Sequence, residues 1–269
     1  MPDNYLALSL WQTGLAAALV LICAAISLAL RLGLERRLLV AAVRTVAQLL
    51  LIGLVLKWIF AEQPWYVVVA LMAAMTLIAG VSAVRRTERR WRGIWIDSLL
   101  SMWASSWIIA AVTLLAIVQV HPWYRPQYAI PLLGMILGNT LNGISLGLDR
   151  LTGELAAKRG QVDPLLALGA TRWEAARAPI QQAVRTAMIP TINTMMVVGL
   201  VTLPGMMTGQ LLAMADPIQA AEYQIVILFV IAAATSLGCV GAVLSAYGRL
   251  FTPEHQFLPE RLVKRTNEA

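Results

Sequence analysis

The run YQIVILFVIAAATSLGCVGAVLSAYG at residues 223–248 contains no charged side chain and decides the fold class. It is 26 residues long, and a helix needs roughly 20 apolar residues to cross a bilayer. Comparable uncharged runs occur at 4–30, 63–84, 98–124, 126–148 and 186–215. A shorter candidate lies at about 40–60. The sequence therefore predicts an all-α, polytopic membrane helical bundle with about seven transmembrane helices.

The composition agrees with membrane embedding and excludes an ordinary soluble domain. Hydrophobic residues make up 59% of the chain and charged residues only 13%, whereas soluble domains carry about 25% charged residues. The two cysteines, Cys23 and Cys239, lie inside apolar runs and provide neither a disulfide framework nor a metal-ligand spacing. The N-terminal residues MPDNYL lack a basic region and a cleavage site. The first span is therefore expected to be retained rather than removed as a signal peptide.

The lysines and arginines predict the orientation of the spans. Their numbers in successive segments between spans are 4, 1, 5, 1, 6, 0 and 4, which places 19 of the 21 basic residues on one side. An excess of lysine and arginine marks the cytoplasmic face of a membrane protein. The N-terminus is therefore expected outside and the C-terminus inside. The basic surplus is expected to contact anionic headgroups of the lipid bilayer, with no nucleic acid as a partner.

The same map predicts the domain organisation. Residues 1–252 are expected to form a single transmembrane domain, which includes a cytoplasmic loop at 149–185. A short cytoplasmic tail at 253–269 follows.

Small and helix-breaking residues occur inside two of the predicted spans. Glycines four residues apart, in the pairs 134/138 and 143/147, allow two helix backbones to approach closely; both packing and the lining of a pathway remain open for them. In the sixth span, Pro204 and Gly205 are expected to interrupt the helix, because proline lacks an amide donor and glycine adds backbone freedom. Irregular backbone at membrane depth is tolerated only against protein or a water-filled cavity. The break therefore either closes an outer hairpin or lines a pathway.

The loop 149–185 contains the sequence DPLLALGATRWEAARAPI, which begins at Asp163 and predicts a helix–turn–helix elbow (residues 163–178). Asp163 is expected to cap a one-turn helix that ends at Gly169. A second helix starts at Thr171, because Thr171 and Glu174 have the spacing of a capping box. The apolar side chains that this elbow exposes are expected to be Leu165, Leu166, Leu168 and Trp173. Such a surface suits either the lipid interface or a groove in a cytoplasmic protein.

Several segments of the chain resemble one family of transport proteins. They are ALGATRWEAA, IPTINTMMVVGLVTLPGMMTGQLLA, DPIQAAEYQI, GMILGN and QLLLIGLVLKWIF. Over roughly residues 40–250 the chain resembles the FetB-type permeases, bacterial membrane subunits associated with iron export that have plant relatives linked to aluminium tolerance. The resemblance implies a permease subunit of an ABC transporter, located in the bacterial inner membrane, that exports iron or a related metal cation.

The resemblance also implies the partners of the chain. They are a second copy of the chain itself and two copies of a separate cytoplasmic ATPase that docks on the elbow. The residues expected to couple the ATPase to the permease are Asp163, Leu165, Leu166, Leu168, Gly169, Thr171, Trp173 and Glu174.

No ATP site is visible in the sequence itself. A phosphate-binding loop needs Gly-Lys followed by Ser or Thr, and none of the three lysines, Lys57, Lys158 and Lys264, follows a glycine. ATP and Mg²⁺ are therefore expected on the partner subunit, with no cofactor bound by this chain. The two histidines are expected on opposite sides of the membrane, and no HExxH motif or nucleophile elbow occurs. The chain is therefore not expected to be an enzyme.

Candidate ligands for the cargo lie on the fifth and sixth spans and just outside the membrane. Oxygen and nitrogen ligands suit iron, and thioethers suit softer ions such as Cu(I). The candidates for a substrate pathway are Asn139, Asn142, Asn193, Met195, Met206, Met207 and Glu222. Methionines in a membrane core also serve in packing, and asparagines also bond neighbouring helices. Both interpretations remain open.

An alternative function is a gradient-driven secondary exporter of a metal or small solute that needs no ATPase. Such a transporter requires charged relay residues inside its spans. The central parts of the predicted spans are almost devoid of them, which favours the ATP-driven interpretation.

Overall fold

The computed structural model of the chain describes residues 9–62 and 64–264, and helices dominate them. The start of the first predicted span, residues 4–8, and the end of the predicted tail, residues 265–269, lie outside the described residues. The described helices are α1 (Leu10–Ala29), α2 (Glu35–Glu62), α3 (Trp65–Arg85), α4 (Ile94–Val112), α5 (Pro126–Ala157), α6 (Arg159–Ala167), α7 (Arg172–Val197), α8 (Gly205–Leu212) and α9 (Pro217–Leu250). Among them, α1 to α5 and α9 are long and apolar enough to cross a membrane. The prediction of an all-α polytopic bundle is confirmed.

The chain divides into two compact units, Met1–Pro64 and Trp65–Ala269. In the first unit, α1 and α2 form a helical hairpin whose turn is held by the hydroxyl of Ser27. This hydroxyl donates to the carboxylate of Glu35 at 3.1 Å and accepts the amide of Leu34 at 3.0 Å. The single transmembrane domain expected over residues 1–252 stays a prediction.

In the second unit, α5 is the central helix and packs against α3, α4, α7 and α9. Its close approach to α9 depends on two glycines. A Cβ atom at Gly143 would lie 2.6 Å from the Thr235 methyl carbon, and one at Gly147 would lie 2.8 Å from the Cys239 sulfur. Gly138, by contrast, has no such neighbour within 4 Å. The pair Gly143 and Gly147 therefore serves helix packing.

The predicted sixth span is divided between α7 and α8. α7 ends at Val197, and a break segment (residues 198–204) follows, in which Gly199 has a φ of +81° and donates its amide to the Thr202 carbonyl at 2.9 Å. Pro204 is the N-cap residue of α8, and Gly205 is its first helical residue. The irregular backbone thus precedes Pro204, because the left-handed conformation of Gly199 has already turned the chain out of the helix.

This division leaves the predicted sixth span without a single long apolar helix. The first half of α7 carries Arg172, Arg177 and Arg185, and α8 has only eight residues. Neither helix alone resembles an ordinary apolar span. The count of seven spans and the orientation of the termini therefore stay predictions.

The described part of the predicted tail, residues 253–264, folds back onto the second unit. β1 (Arg89–Arg90) pairs antiparallel with β2 (Val263–Lys264). The Nδ1 atom of His255 accepts a hydrogen bond from the backbone amide of Arg172 at 3.2 Å. These contacts place the tail beside the start of α7, at the same end of the unit as the elbow.

Candidate functional site

The turn of the elbow has a defined backbone structure. The amide of Ala170 donates to the Leu165 carbonyl at 3.0 Å, and the amide of Gly169 donates to the Leu166 carbonyl at 3.1 Å. Gly169 has a φ of +92°, a conformation that favours glycine. These two hydrogen bonds form a Schellman motif, which ends α6 and satisfies its last carbonyl groups.

Asp163 does not cap a helix, contrary to the expectation from the sequence. α6 begins four residues earlier, at Arg159, and Asp163 lies inside it. Its carboxylate pairs with the Arg159 side chain at 3.2 Å, one helical turn away. Burial of Val162 holds this first turn against the rest of the unit. The pair and the buried valine stabilise an earlier helix start than Asp163 and Pro164 alone would predict.

The start of α7 is closed by a reciprocal pair of hydrogen bonds. The amide of Thr171 donates to the Glu174 carboxylate at 2.8 Å, and the Thr171 hydroxyl accepts the Glu174 amide at 3.3 Å. The structure therefore contains the capping box that the sequence predicts. The hydrogen bond from the Thr171 amide and, to a smaller extent, the hydrogen bond from the Thr171 hydroxyl lower the pKa of Glu174 below its ordinary value.

The Thr171→Val variant is expected to loosen the start of α7. The loss of the cap should raise hydrogen-exchange rates of the amides at 173–175 about fivefold at pH 7. Because the folded pKa of Glu174 is lowered, the stabilisation by its ionised carboxylate is complete above the unfolded pKa and disappears as the pH falls through the folded pKa. The difference in hydrogen-exchange rate between the variant and the native protein should therefore become smaller as the pH is lowered. Thr186→Val, in the middle of the same helix, is the control; equal effects of both variants would contradict the capping role.

Three of the four expected apolar side chains are exposed on the elbow, one of them almost completely. Leu168 is 86% exposed, Trp173 is 46% exposed and Leu165 is 45% exposed, while Leu166 is half-buried. The Trp173 ring also meets the Tyr247 ring edge-on, with 5.7 Å between centroids. Leu168 therefore offers contact area to a partner without contributing to the core, whereas Trp173 both anchors α7 to α9 and faces outward.

A second feature is a cavity of about 210 Å³ beside the break segment, hereafter the break cavity. It lies between α5, α7, α8 and α9. Its polar and sulfur-containing lining consists of Met135, Asn139, Thr191, Thr194, Met206 and Gln224. Among the described residues that line it, none is ionisable.

The break cavity brings together only some of the residues predicted to form a pathway. Asn139 and Met206 line it. The Oδ1 atom of Asn142 instead accepts a hydrogen bond from the guanidinium of Arg86 at 2.7 Å. The exposed Glu222 borders a separate groove. The remaining candidates do not line the break cavity: Asn193 is exposed on α7, and Met195 and Met207 are half-buried.

Gln224 is a candidate that the sequence interpretation missed. Gln224 is 6% exposed, and its Oε1 atom has no hydrogen-bond partner within the described part of the chain. An amide side chain inside the otherwise apolar run 223–248 is the sequence signal that points to it. Among residues 9–62 and 64–264, no group of three histidine, cysteine, aspartate or glutamate side chains is placed to hold a metal ion.

Comparisons with known proteins place the chain in a family. The profile of the uncharacterised protein family UPF0014 matches residues 10–251. Over 84% of its length the chain is 41% identical to the UPF0014 membrane protein slr1647 of Synechocystis, of which 88% is covered. It is 32% identical over 93% of its length to the probable iron export permease protein FetB of Escherichia coli, of which 95% is covered. It is 33% identical over 86% of its length to the UPF0014 membrane protein STAR2 of Oryza sativa, of which 79% is covered.

No solved structure matches the chain. The family profile and the relatives nevertheless cover most of it, including the elbow and the residues around the break cavity. The resemblance seen in the sequence is thus confirmed, and the chain belongs to the UPF0014 family of multi-pass membrane proteins.

Proposed function

We propose that this chain is the permease subunit of an ABC transporter that exports iron or a related metal cation across the bacterial inner membrane. The similarity to a probable iron export permease extends over nearly the whole chain and supports the transport class and the cargo. The observation that carries the coupling to an ATPase is the elbow. It is a capped, well-defined turn with exposed apolar side chains, and it continues directly into the helix that ends at the break cavity.

The helix α7 supplies a mechanical connection between the two features. It runs without interruption from its cap at Thr171 to Val197. Its 26 residues, with Pro179 and Pro190 inside the helix, span at most about 39 Å at a rise of 1.5 Å per residue. Thr191 and Thr194, near its end, line the break cavity. A displacement of the elbow by an ATPase would therefore move one wall of the cavity, as alternating access requires.

The ATPase is a separate subunit in this proposal, present in two copies. The absence of a phosphate-binding loop from the sequence supports this arrangement, because the energy source then lies outside the chain. ATP and Mg²⁺ bind the partner subunit.

A second copy of the chain completes the proposed permease. The exposed side of α7 carries polar residues at intervals of four and eight residues, with the exposed Ile189 between the last two; this polar stripe consists of Arg177, Gln181, Arg185 and Asn193. Asn193 lies in the predicted sixth span, where lipid solvates an amide poorly, so polar residues in membrane segments face protein or water. The stripe supports packing of α7 against the same face of a second copy around a shared, water-containing path.

Cross-linking through Asn193 tests this arrangement. In a Cys23→Ser background, the Asn193→Cys variant is expected to form a disulfide-linked dimer on mild oxidation in membranes. Phe229→Cys, on the exposed apolar side of α9, is the matched control and is expected to stay monomeric on a non-reducing gel. Equal cross-linking at both positions would contradict the stripe as the dimer face.

Transport in vesicles tests the function itself. The purified chain and its ATPase, reconstituted together, are expected to move Fe²⁺ in one direction only when ATP is supplied. Removal of the ATPase should abolish this movement. Fe²⁺ movement in vesicles that contain the chain alone would instead support the gradient-driven exporter.

A further inference from the structure

We propose that the break cavity is the cargo-binding site and that Gln224 provides its central ligand for a partly dehydrated divalent metal ion. This inference rests on the proposed transport function and assigns a place to its cargo. It moves the site away from Asn142, Asn193 and Glu222, which the structure does not bring into the cavity.

The first argument is the state of the Gln224 amide. Its Oε1 atom is buried and accepts no hydrogen bond, although Gln224 belongs to the cavity wall. Native proteins rarely leave a buried polar atom without a partner, because the lost hydration is not replaced. A rotation of the Gln224 side chain would turn this oxygen toward a positively charged ligand in the cavity and satisfy it.

The neighbouring oxygens are also arranged as acceptors. The Nδ2 group of Asn139 donates to the Met135 carbonyl at 2.9 Å, which leaves the Oδ1 atom of Asn139 available. The hydroxyl hydrogen of Thr194 is used in a bond to the Pro190 carbonyl at 2.9 Å, which leaves the oxygen lone pairs of Thr194 available. Three side chains of the cavity wall therefore keep oxygen lone pairs that accept no hydrogen bond from the described residues, and lone pairs bind cations.

Two thioethers add selectivity to these oxygens. Met135 and Met206 line the same cavity, whereas Met207, the next residue along α8, does not. Thioether sulfur is a soft ligand that favours later transition metals over Mg²⁺. The combination of amide oxygen and thioether accordingly favours Fe²⁺ over the abundant Mg²⁺.

The lack of ionisable groups in the lining fits a site that must release its cargo. A ring of carboxylates would hold a divalent ion strongly in a poorly hydrated cavity. The helix ends add little net charge, because the negative end of α7 and the positive end of α8 both border the cavity. Neutral oxygens therefore set the affinity, and binding is expected to be weak.

Mn²⁺ binding to the purified chain in lipid nanodiscs, followed by electron paramagnetic resonance, tests the assignment. Gln224→Ala is expected to weaken Mn²⁺ binding at least tenfold. Gln224→Glu keeps the shape of the side chain and adds a negative charge, so it is expected to tighten Mn²⁺ binding at least tenfold. Gln219→Ala and Gln219→Glu, at an exposed position five residues earlier in α9, should leave the affinity unchanged.

The sulfur ligands are tested by competition. Fe²⁺ is expected to displace Mn²⁺ at a lower concentration than Mg²⁺ does. Met206→Leu should reduce this preference at least threefold, and Met207→Leu should not. Equal effects of both methionine variants would overturn the part assigned to Met206.

Other outcomes separate this proposal from the transport function. If the native chain binds no Mn²⁺ at millimolar concentrations, or if Gln224→Glu weakens binding, the cavity is not a cation site. ATP-driven Fe²⁺ transport by the native complex would still support the proposed function in that case. Normal Mn²⁺ binding that responds to Gln224, without any ATP-driven transport, would instead retain the site and overturn the ABC permease.

Discussion

The Leu168→Asp variant is expected to lose ATPase binding and stimulated ATP hydrolysis at least tenfold while the permease itself stays folded. Leu168 is 86% exposed at the turn of the elbow, so its replacement removes no core packing. Exposed apolar anchors that fill a groove on a partner contribute disproportionately to binding, and a carboxylate in such a groove is not solvated. Co-purification of the two subunits and ATP hydrolysis in nanodiscs measure the effect.

Leu32→Asp is the matched control for this variant. Leu32 is an exposed leucine in the turn between α1 and α2, and the distribution of basic residues predicts that this turn lies on the same side of the membrane as the elbow. Its replacement is expected to leave ATPase binding unchanged. Full ATPase stimulation in Leu168→Asp would show that the elbow is not the docking site. Trp173 is less suitable for this test, because its contact with Tyr247 also supports α7.

Gly143→Ala is expected to destabilise the permease by about 1–3 kcal/mol through overpacking between α5 and α9. The added Cβ would lie 2.6 Å from the methyl carbon of Thr235, which is closer than two carbon atoms can approach. Gly138→Ala, on the same helix, meets no such neighbour within 4 Å and should have little effect. Thermal unfolding of the purified protein, followed by size-exclusion chromatography, distinguishes the two variants.

A second substitution identifies the cause of this loss. Thr235→Ser removes the methyl group that Gly143→Ala would meet and keeps the hydroxyl. In the Thr235→Ser background, Gly143→Ala is therefore expected to lower the stability much less than it does in the native protein. The same loss in the presence and absence of the Thr235 methyl group would contradict the packing explanation.

Features that depend on neighbouring residues could be predicted from the sequence. The long apolar runs predicted the membrane helices α1 to α5 and α9, because one stretch of about 20 residues is sufficient to cross a bilayer. The capping box of Thr171 and Glu174 and the glycine stop at 169 were also predicted, since their hydrogen bonds join residues at most five positions apart. Local chemistry determines such features before the chain is packed.

Local patterns were insufficient where packing competes with them. Asp163 and Pro164 have the order of a helix start. Burial of Val162 and the ion pair of Asp163 with Arg159 nevertheless make α6 begin earlier, at Arg159. Pro204 and Gly205 suggested the position of the helix break, but the turn at Gly199 places the irregular backbone before them. In both cases a residue outside the recognised motif decided the boundary.

The sequence by itself determined that this protein is a bundle of membrane helices with a capped elbow and a helix interrupted near Pro204. Only the tertiary structure decided which polar residues meet. Asn139, Met206 and Gln224 come from three different helices, and no spacing along the chain relates them. The packing of α5, α7, α8 and α9 brings them to one cavity and leaves Asn142 bonded to Arg86 instead. Contacts between distant segments depend on how side chains fill the space between helices, and that information lies in the packed structure rather than in any local pattern.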